Sequence, residues 1–149
     1  MKIEFNENEL KSLVRLVYLA DFVVDMGSDE LEEGDYANFQ DVINKIYRIV
    51  GNSSLHDMVE HVGGDEYEAS ETLLADPELD AIIENFENNS FWDRLAEMLV
   101  MRDVVEEIPG DEYSKIKPAK RAAIIDDHFK SYFQEFEKHG VTRLRIVGW

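Results

Sequence analysis

The sequence predicts a mainly α fold, α+β at most. It reads as one compact domain over residues 1–149, with five to six helices and a possible two-stranded sheet pairing the N- and C-terminal segments. Three observations predict this. Apolar residues recur at three- and four-residue spacing through most of the chain, the period of a helix with a buried face. Capping and breaking residues punctuate those stretches. Strict alternation, the period of a half-buried strand, is confined to the two ends.

The first element is a short strand over residues 1–5, where Ile3 and Phe5 alternate with Lys2 and Glu4. A helix follows from about Glu7 to Asp25. Asn6 can cap it, Glu9 sits at the third helical position, and Phe5 and Leu10 are spaced for a hydrophobic staple. Gly27 stops it. From Leu13 to Val24 only Arg15 and Asp21 are charged, so this helix is apolar nearly all round and is expected at the centre of the fold. Arg15 and Asp21 are six residues apart and do not form a natural pair. Asp21 reads as part of one wetted stripe with Asp25, rather than as a buried functional carboxylate.

An acidic loop spans 27–35. A second helix fits 36–50, with Phe39, Val42, Ile43, Ile46, Ile49 and Val50 at helical spacing. After Gly51-Asn52, a short helix from Leu55 to Val62 is expected, broken by Gly63-Gly64 and followed by an acidic loop to residue 72. Asp76-Pro77-Glu78 is a strong helix start: a capping Asp, Pro at the first helical position and an acid in the first turn. Ser90, with Asp93 three residues on, opens a further helix with a broad apolar face from Phe91 to Val105. Pro109-Gly110 ends it. Pro118 begins the last helix, closed by Gly140 after His139. Thr142, Leu144 and Ile146 then alternate with Arg143 and Arg145 as a second short strand.

Composition bounds the function. The 149 residues suit one domain, and a chain of this size buries roughly 68–70% of its unfolded surface without staples. There is no cysteine, which excludes a disulfide scaffold, a thiol nucleophile and a cysteine-ligated metal. With 33 Asp and Glu against 15 Lys and Arg, the net charge is −18. That argues against nucleic acid, whose binding requires many cationic contacts, and against an anionic membrane surface. It favours high solubility, basic partners, cations or no electrostatic partner at all; a basic protein partner or self-association is the expectation carried forward. The charge is uneven: residues 115–149 hold eight bases against four acids, a net +4, leaving −22 on residues 1–114. The plainer account is that the basic segment neutralises part of the acidic body; the alternative is a small patch for an anionic ligand. The opening MKIEFNENEL has acids where a signal peptide needs bases, and no stretch approaches the ~20 apolar residues of a membrane span, so a cytoplasmic location is expected.

The densest group of potential ligands is His56-Asp57-Met58-Val59-Glu60-His61. On a helix His56 and Glu60 are one turn apart, as are Asp57 and His61, and two such pairs suit a divalent metal. The spacing is neither HExxH nor HxxEH. A solvated face is the plainer reading, and no cofactor is expected. Calcium loops starting at Asp25 or Asp57 lack the glycine required at the sixth position. There is no GxSxG, SxxK or Walker loop. His128, beside Asp126-Asp127, reads as structural rather than as a general base. Phe86, Phe91, Trp92 and the aromatic residues of 129–136 read as core. Trp149 either packs back on the domain or meets a partner.

The opening KIEF…ELKSLVRLVYLADFVVD and the later FWDRLAEMLVMRD, residues 2–25 and 91–103, resemble a group of small acidic bacterial proteins of unknown function. In them a similar leading strand runs into an apolar first helix and a YLADWV-like core recurs; Phe22 stands here where Trp is expected. The resemblance implies a bacterial source and a helical fold, and carries no activity or site residue. The expected function is a non-catalytic protein-interaction or regulatory module. The alternative is a divalent-metal-binding protein or metal-dependent hydrolase using His56, Asp57, Glu60 and His61.

Overall fold

The computed structural model describes residues 3–30 and 32–145. It is mainly α: six helices among the described residues, three short 3-10 turns and one two-stranded antiparallel sheet. The chain resolves into two compact units, Met1–Glu84 and Asn85–Trp149.

In the first unit, α1 (Glu7–Met26) starts as its sequence dictates. The Asn6 side chain accepts from the Glu9 N–H at 3.0 Å, and the Asn6 N–H donates to the Glu9 carboxylate at 2.8 Å, a complete capping box. Gly27 ends the helix. Helix α2 (Glu33–Gly51) begins three residues before its apolar period does. Glu33 and Asp35 occupy its first turn, where acids complement the helix dipole, so part of the expected acidic loop is helical.

The segment after α2 departs from expectation. Instead of a helix over 55–62 there is a 3-10 turn, His56–Met58, and then β1 (Val59–Gly63). The expected loop over 65–72 holds β2 (Glu66–Ala69) and the first residues of α3 (Glu71–Leu74). The hairpin pairs Val59 with Ala69, Glu60 with Glu68 and His61 with Tyr67. Two features favour it over a helix. β-branched Val59 and Val62 suit a strand. Gly63 and Gly64 adopt φ of 135° and 58°, which only glycine reaches easily, and so reverse the chain in a tight turn. Helix α2 holds the hairpin in place: the Asn44 side chain accepts from the Tyr67 N–H at 3.0 Å, and the Tyr67 ring lies against Gly51.

The core of this unit gathers Val14, Ile43, Tyr47, Val50, Met58, Val59, Leu73 and Leu79, drawn from α1, α2, the hairpin, α3 and the start of α4 (Pro77–Glu107). Val14, Val50 and Leu73 are 0% exposed. Leu10, Val17 and Tyr18 of α1 pack against it.

Helix α4 is continuous over 31 residues, where two helices are expected. Between Pro77 and Pro109 there is neither glycine nor proline, and Asn88-Asn89-Ser90 is too weak a break to stop it. Ser90 is therefore a mid-helix residue and not a cap. The unit boundary falls within this helix.

In the second unit, α5 (Gly110–Tyr113) is a single turn in the expected connector, and α6 (Pro118–His139) runs from its N-terminal proline to Gly140, which takes φ of 52°. Helices α4 and α6 are antiparallel: Trp92 meets Phe136, Asp103 meets Tyr132 and Glu107 meets His128, in opposite chain order. Among the described residues of this unit the buried side chains are Ala96, Val100, Val104 and Phe136.

The sheet expected between the termini is not formed by the described residues. Ile3–Phe5 carry no strand, and Gly140–Arg143 form a 3-10 turn. Thr142 Oγ1 donates to the His139 carbonyl at 2.6 Å, so the chain after α6 continues to coil where an extended strand is expected. Met1, Lys2 and residues 146–149, including Trp149, lie outside the described residues.

Candidate interaction surfaces

The His56–His61 segment loses the geometry that made it a candidate metal site. Helical i,i+4 pairing of His56 with Glu60, and of Asp57 with His61, requires a helix that is absent; Glu60 and His61 are neighbours on a strand and point to opposite faces. His61 Nε2 lies 2.9 Å from the Gly64 carbonyl, and its ring meets the Tyr67 ring edge-on at 5.0 Å. The Asp57 carbonyl accepts from the Ser70 hydroxyl at 2.6 Å. These residues brace the hairpin. Among the described residues no three His, Asp or Glu side chains converge on a position suited to a metal ion.

Asp21 is half-buried at the α1/α2 interface. The Gln40 amide donates to Asp21 at 3.0 Å and reaches Asp25 at 3.5 Å, while the Tyr36 hydroxyl donates to Asp25 at 2.9 Å. The two aspartates share a side of α1, as the four-residue spacing predicts. Burial, with Asp25 and Glu68 nearby, holds the Asp21 carboxyl above the usual carboxylate range; the Gln40 hydrogen bond opposes this. Tyr47 is 1% exposed, and burial pushes its hydroxyl well above the ordinary tyrosine value. Arg15 turns away from Asp21. It lies 3.0 Å from Asp76 and 2.7 Å from Glu78, tying α1 to the start of α4. Asp76 also caps that helix, accepting from the Glu78 N–H at 3.0 Å.

In the second unit the Tyr132 hydroxyl donates to Asp103, which also pairs with Arg102 at 2.7 Å. The Tyr132 hydrogen bond, more than Arg102, holds the Asp103 carboxyl below the usual range. His128 Nε2 lies 3.3 Å from the Glu107 carboxylate, a contact between α6 and α4. Lys115, Lys130 and Arg143 pair with Asp111, Asp127 and Glu135 of their own unit.

What the sequence reading missed is exposure. Phe39, Val42 and Ile49, expected in the core, are about half exposed on α2, as are Leu16, Val23 and Met26 on α1. On α4, Phe91, Met98, Met101 and Val105 are likewise exposed. The signal was present: each helix carries more apolar positions than one buried stripe can use. On α2 the inward set Ile43, Tyr47, Val50 is flanked by a second set, Phe39, Val42, Ile46, Ile49, with the same three–four spacing.

Charge divides unevenly between the units. Met1–Glu84 holds 21 acids and five bases, a net −16; Asn85–Trp149 holds 12 acids and ten bases, a net −2. Among the described residues no helix is long and apolar enough to cross a membrane. No family model, curated protein or solved structure matches the chain.

Proposed function

We propose that this chain is a non-catalytic protein-interaction module whose acidic unit, Met1–Glu84, receives a basic amphipathic segment of another protein. One observation carries the reading: large apolar side chains at helical spacing stand exposed in a unit whose net charge is −16. Leu16 and Val42 are 63% and 57% exposed. Contiguous exposed apolar groups rimmed by charge mark interaction surfaces. The acidic rim selects basic partners and steers their approach.

The test uses fluorescently labelled synthetic helices and reads binding by anisotropy. A Leu/Lys amphipathic peptide binds, and more weakly as salt rises. A sequence-scrambled peptide of the same composition and a Leu/Glu analogue do not. The double change Leu16→Glu/Val42→Glu weakens binding at least roughly tenfold, about 1.4 kcal/mol, with the helical circular dichroism unchanged. Equal binding of the scrambled peptide, or binding indifferent to those changes, overturns the reading.

A further inference from the structure

We propose that the second unit, Asn85–Trp149, pairs with the same unit of a second copy of this chain through the outward side of α4. The proposal uses a different surface from the basic-partner reading and does not depend on it.

Within this unit α4 is apolar on two sides. Trp92, Ala96, Val100 and Val104 face α6, where Trp92 meets Phe136 at 4.9 Å between ring centres. Phe91, Met98 and Val105 follow each other at intervals of seven residues and are 50%, 61% and 70% exposed. Met98 lies two positions from Ala96 and also from Val100, about 200° around the helix from each, and so faces away from α6. A seven-residue interval keeps side chains on one seam with a drift of about 20° per repeat, the spacing that a second packed helix reads. A helix apolar on both sides is normally an inner one, covered on both. Helix α6 covers one side.

Charge and area select the occupant. The net −2 of this unit leaves only weak repulsion between two copies of it, whereas a strongly basic partner is drawn to the unit carrying −16. The cations flanking the seam are matched on their own helix: Arg94 with Glu97 at 2.6 Å, Arg102 with Asp103 at 2.7 Å. The two arginines beside the seam are thus neutralised by acids of α4 itself. Taking about 200 Å² for a fully exposed large side chain, Phe91, Met98, Met101 and Val105 leave roughly 400 Å² of apolar surface per copy. A standard interface buries about 800 Å² on each partner, about 56–65% of it apolar. The four residues therefore supply most of the apolar area that one side of a stable dimer needs. The pairing is isologous, with the same patch on both copies.

The test is sedimentation equilibrium of the full chain over a range of concentrations. The wild type gives a dimer of two 17.3 kDa chains. Met98→Glu/Val105→Glu gives a monomer with unchanged helical circular dichroism, while Val23→Glu/Val42→Glu in the acidic unit leaves the dimer intact. A second measurement removes dependence on a folded double variant. The chain has no cysteine, so Val105→Cys accepts a single nitroxide label. Pulsed dipolar spectroscopy then detects a short inter-copy distance from that site. A wild type that is monomeric at every concentration overturns the proposal. So does a dimer that survives Met98→Glu/Val105→Glu, or a labelled dimer with no short distance at residue 105.

Discussion

Met1–Glu84 and Asn85–Trp149 solve the burial problem differently. The first surrounds its core with α1, α2, a hairpin and α3, and leaves Val14, Val50 and Leu73 with no exposure. The second packs α4 on α6 and buries Ala96, Val100, Val104 and Phe136, while Phe91, Met98 and Val105 stay outside. Two helices offer each other one stripe, and a helix with apolar residues on both sides needs another layer. The charge contrast, −16 against −2, runs alongside. The enclosed unit carries the repulsive surface; the open one is nearly neutral.

The largest expected effect tests the enclosed core. Leu73→Ala should cost about 2–5 kcal/mol in a urea melt of the first unit followed by tyrosine near-UV circular dichroism. Val105→Ala, in a chain kept monomeric by dilution, should stay within about 0.5 kcal/mol. Comparable costs at the two positions would dissolve the contrast. Gly51→Ala comes next. A Cβ there would lie 2.5 Å from the Tyr67 ring, so overpacking should cost about 1–3 kcal/mol and release hairpin amides to hydrogen exchange.

Acid titration sharpens the comparison, because two carboxyls carry shifts of opposite sign. Asp103 in the second unit is held low by Tyr132 and then Arg102. Its contribution is therefore present above the unfolded value, near 3.9, and is lost as pH falls through the folded value. Tyr132→Phe should lower the stability of that unit by about 1 kcal/mol at neutral pH, with the difference shrinking in acid. Trp92 fluorescence reports it. Asp21 in the first unit is held high by burial, so its ionisation opposes folding; the stabilisation is complete below the unfolded value and lost as pH rises through the folded one. Asp21→Asn should raise the neutral-pH Tm by roughly 1–3 °C and leave the acid limb unchanged. A lower Tm would mean that the Gln40 hydrogen bond outweighs the burial of the carboxylate.

The helices were legible wherever local chemistry decides them. The Asn6–Glu9 capping box, Pro77 and Pro118 at helix starts and Gly140 at a helix end each act within one turn of chain. The hairpin was not, because the Leu55–Val62 stretch has mixed polarity, and its strand state depends on a partner strand, the Gly63-Gly64 turn and Asn44 on α2. The helical i,i+4 spacing behind the metal reading of His56–His61 went with that helix, since ligand spacing is meaningful only on a given backbone. Ser90 misled because a capping residue within a long favourable helix lacks the strength to end it.

The sequence by itself determined a mainly α chain, its main helix starts and stops, a net charge of −18 and the surplus of apolar positions on α1, α2 and α4. Capping, breaking and composition are local or additive, so no distant contact is needed to read them. Only the tertiary structure decided which of two apolar stripes on a helix turns inward. It also decided that residues 59–69 pair as strands, and that Arg15 binds Asp76 and Glu78 rather than Asp21. Those choices depend on contacts far apart in the chain, where period and propensity are equal and the packing partner breaks the tie.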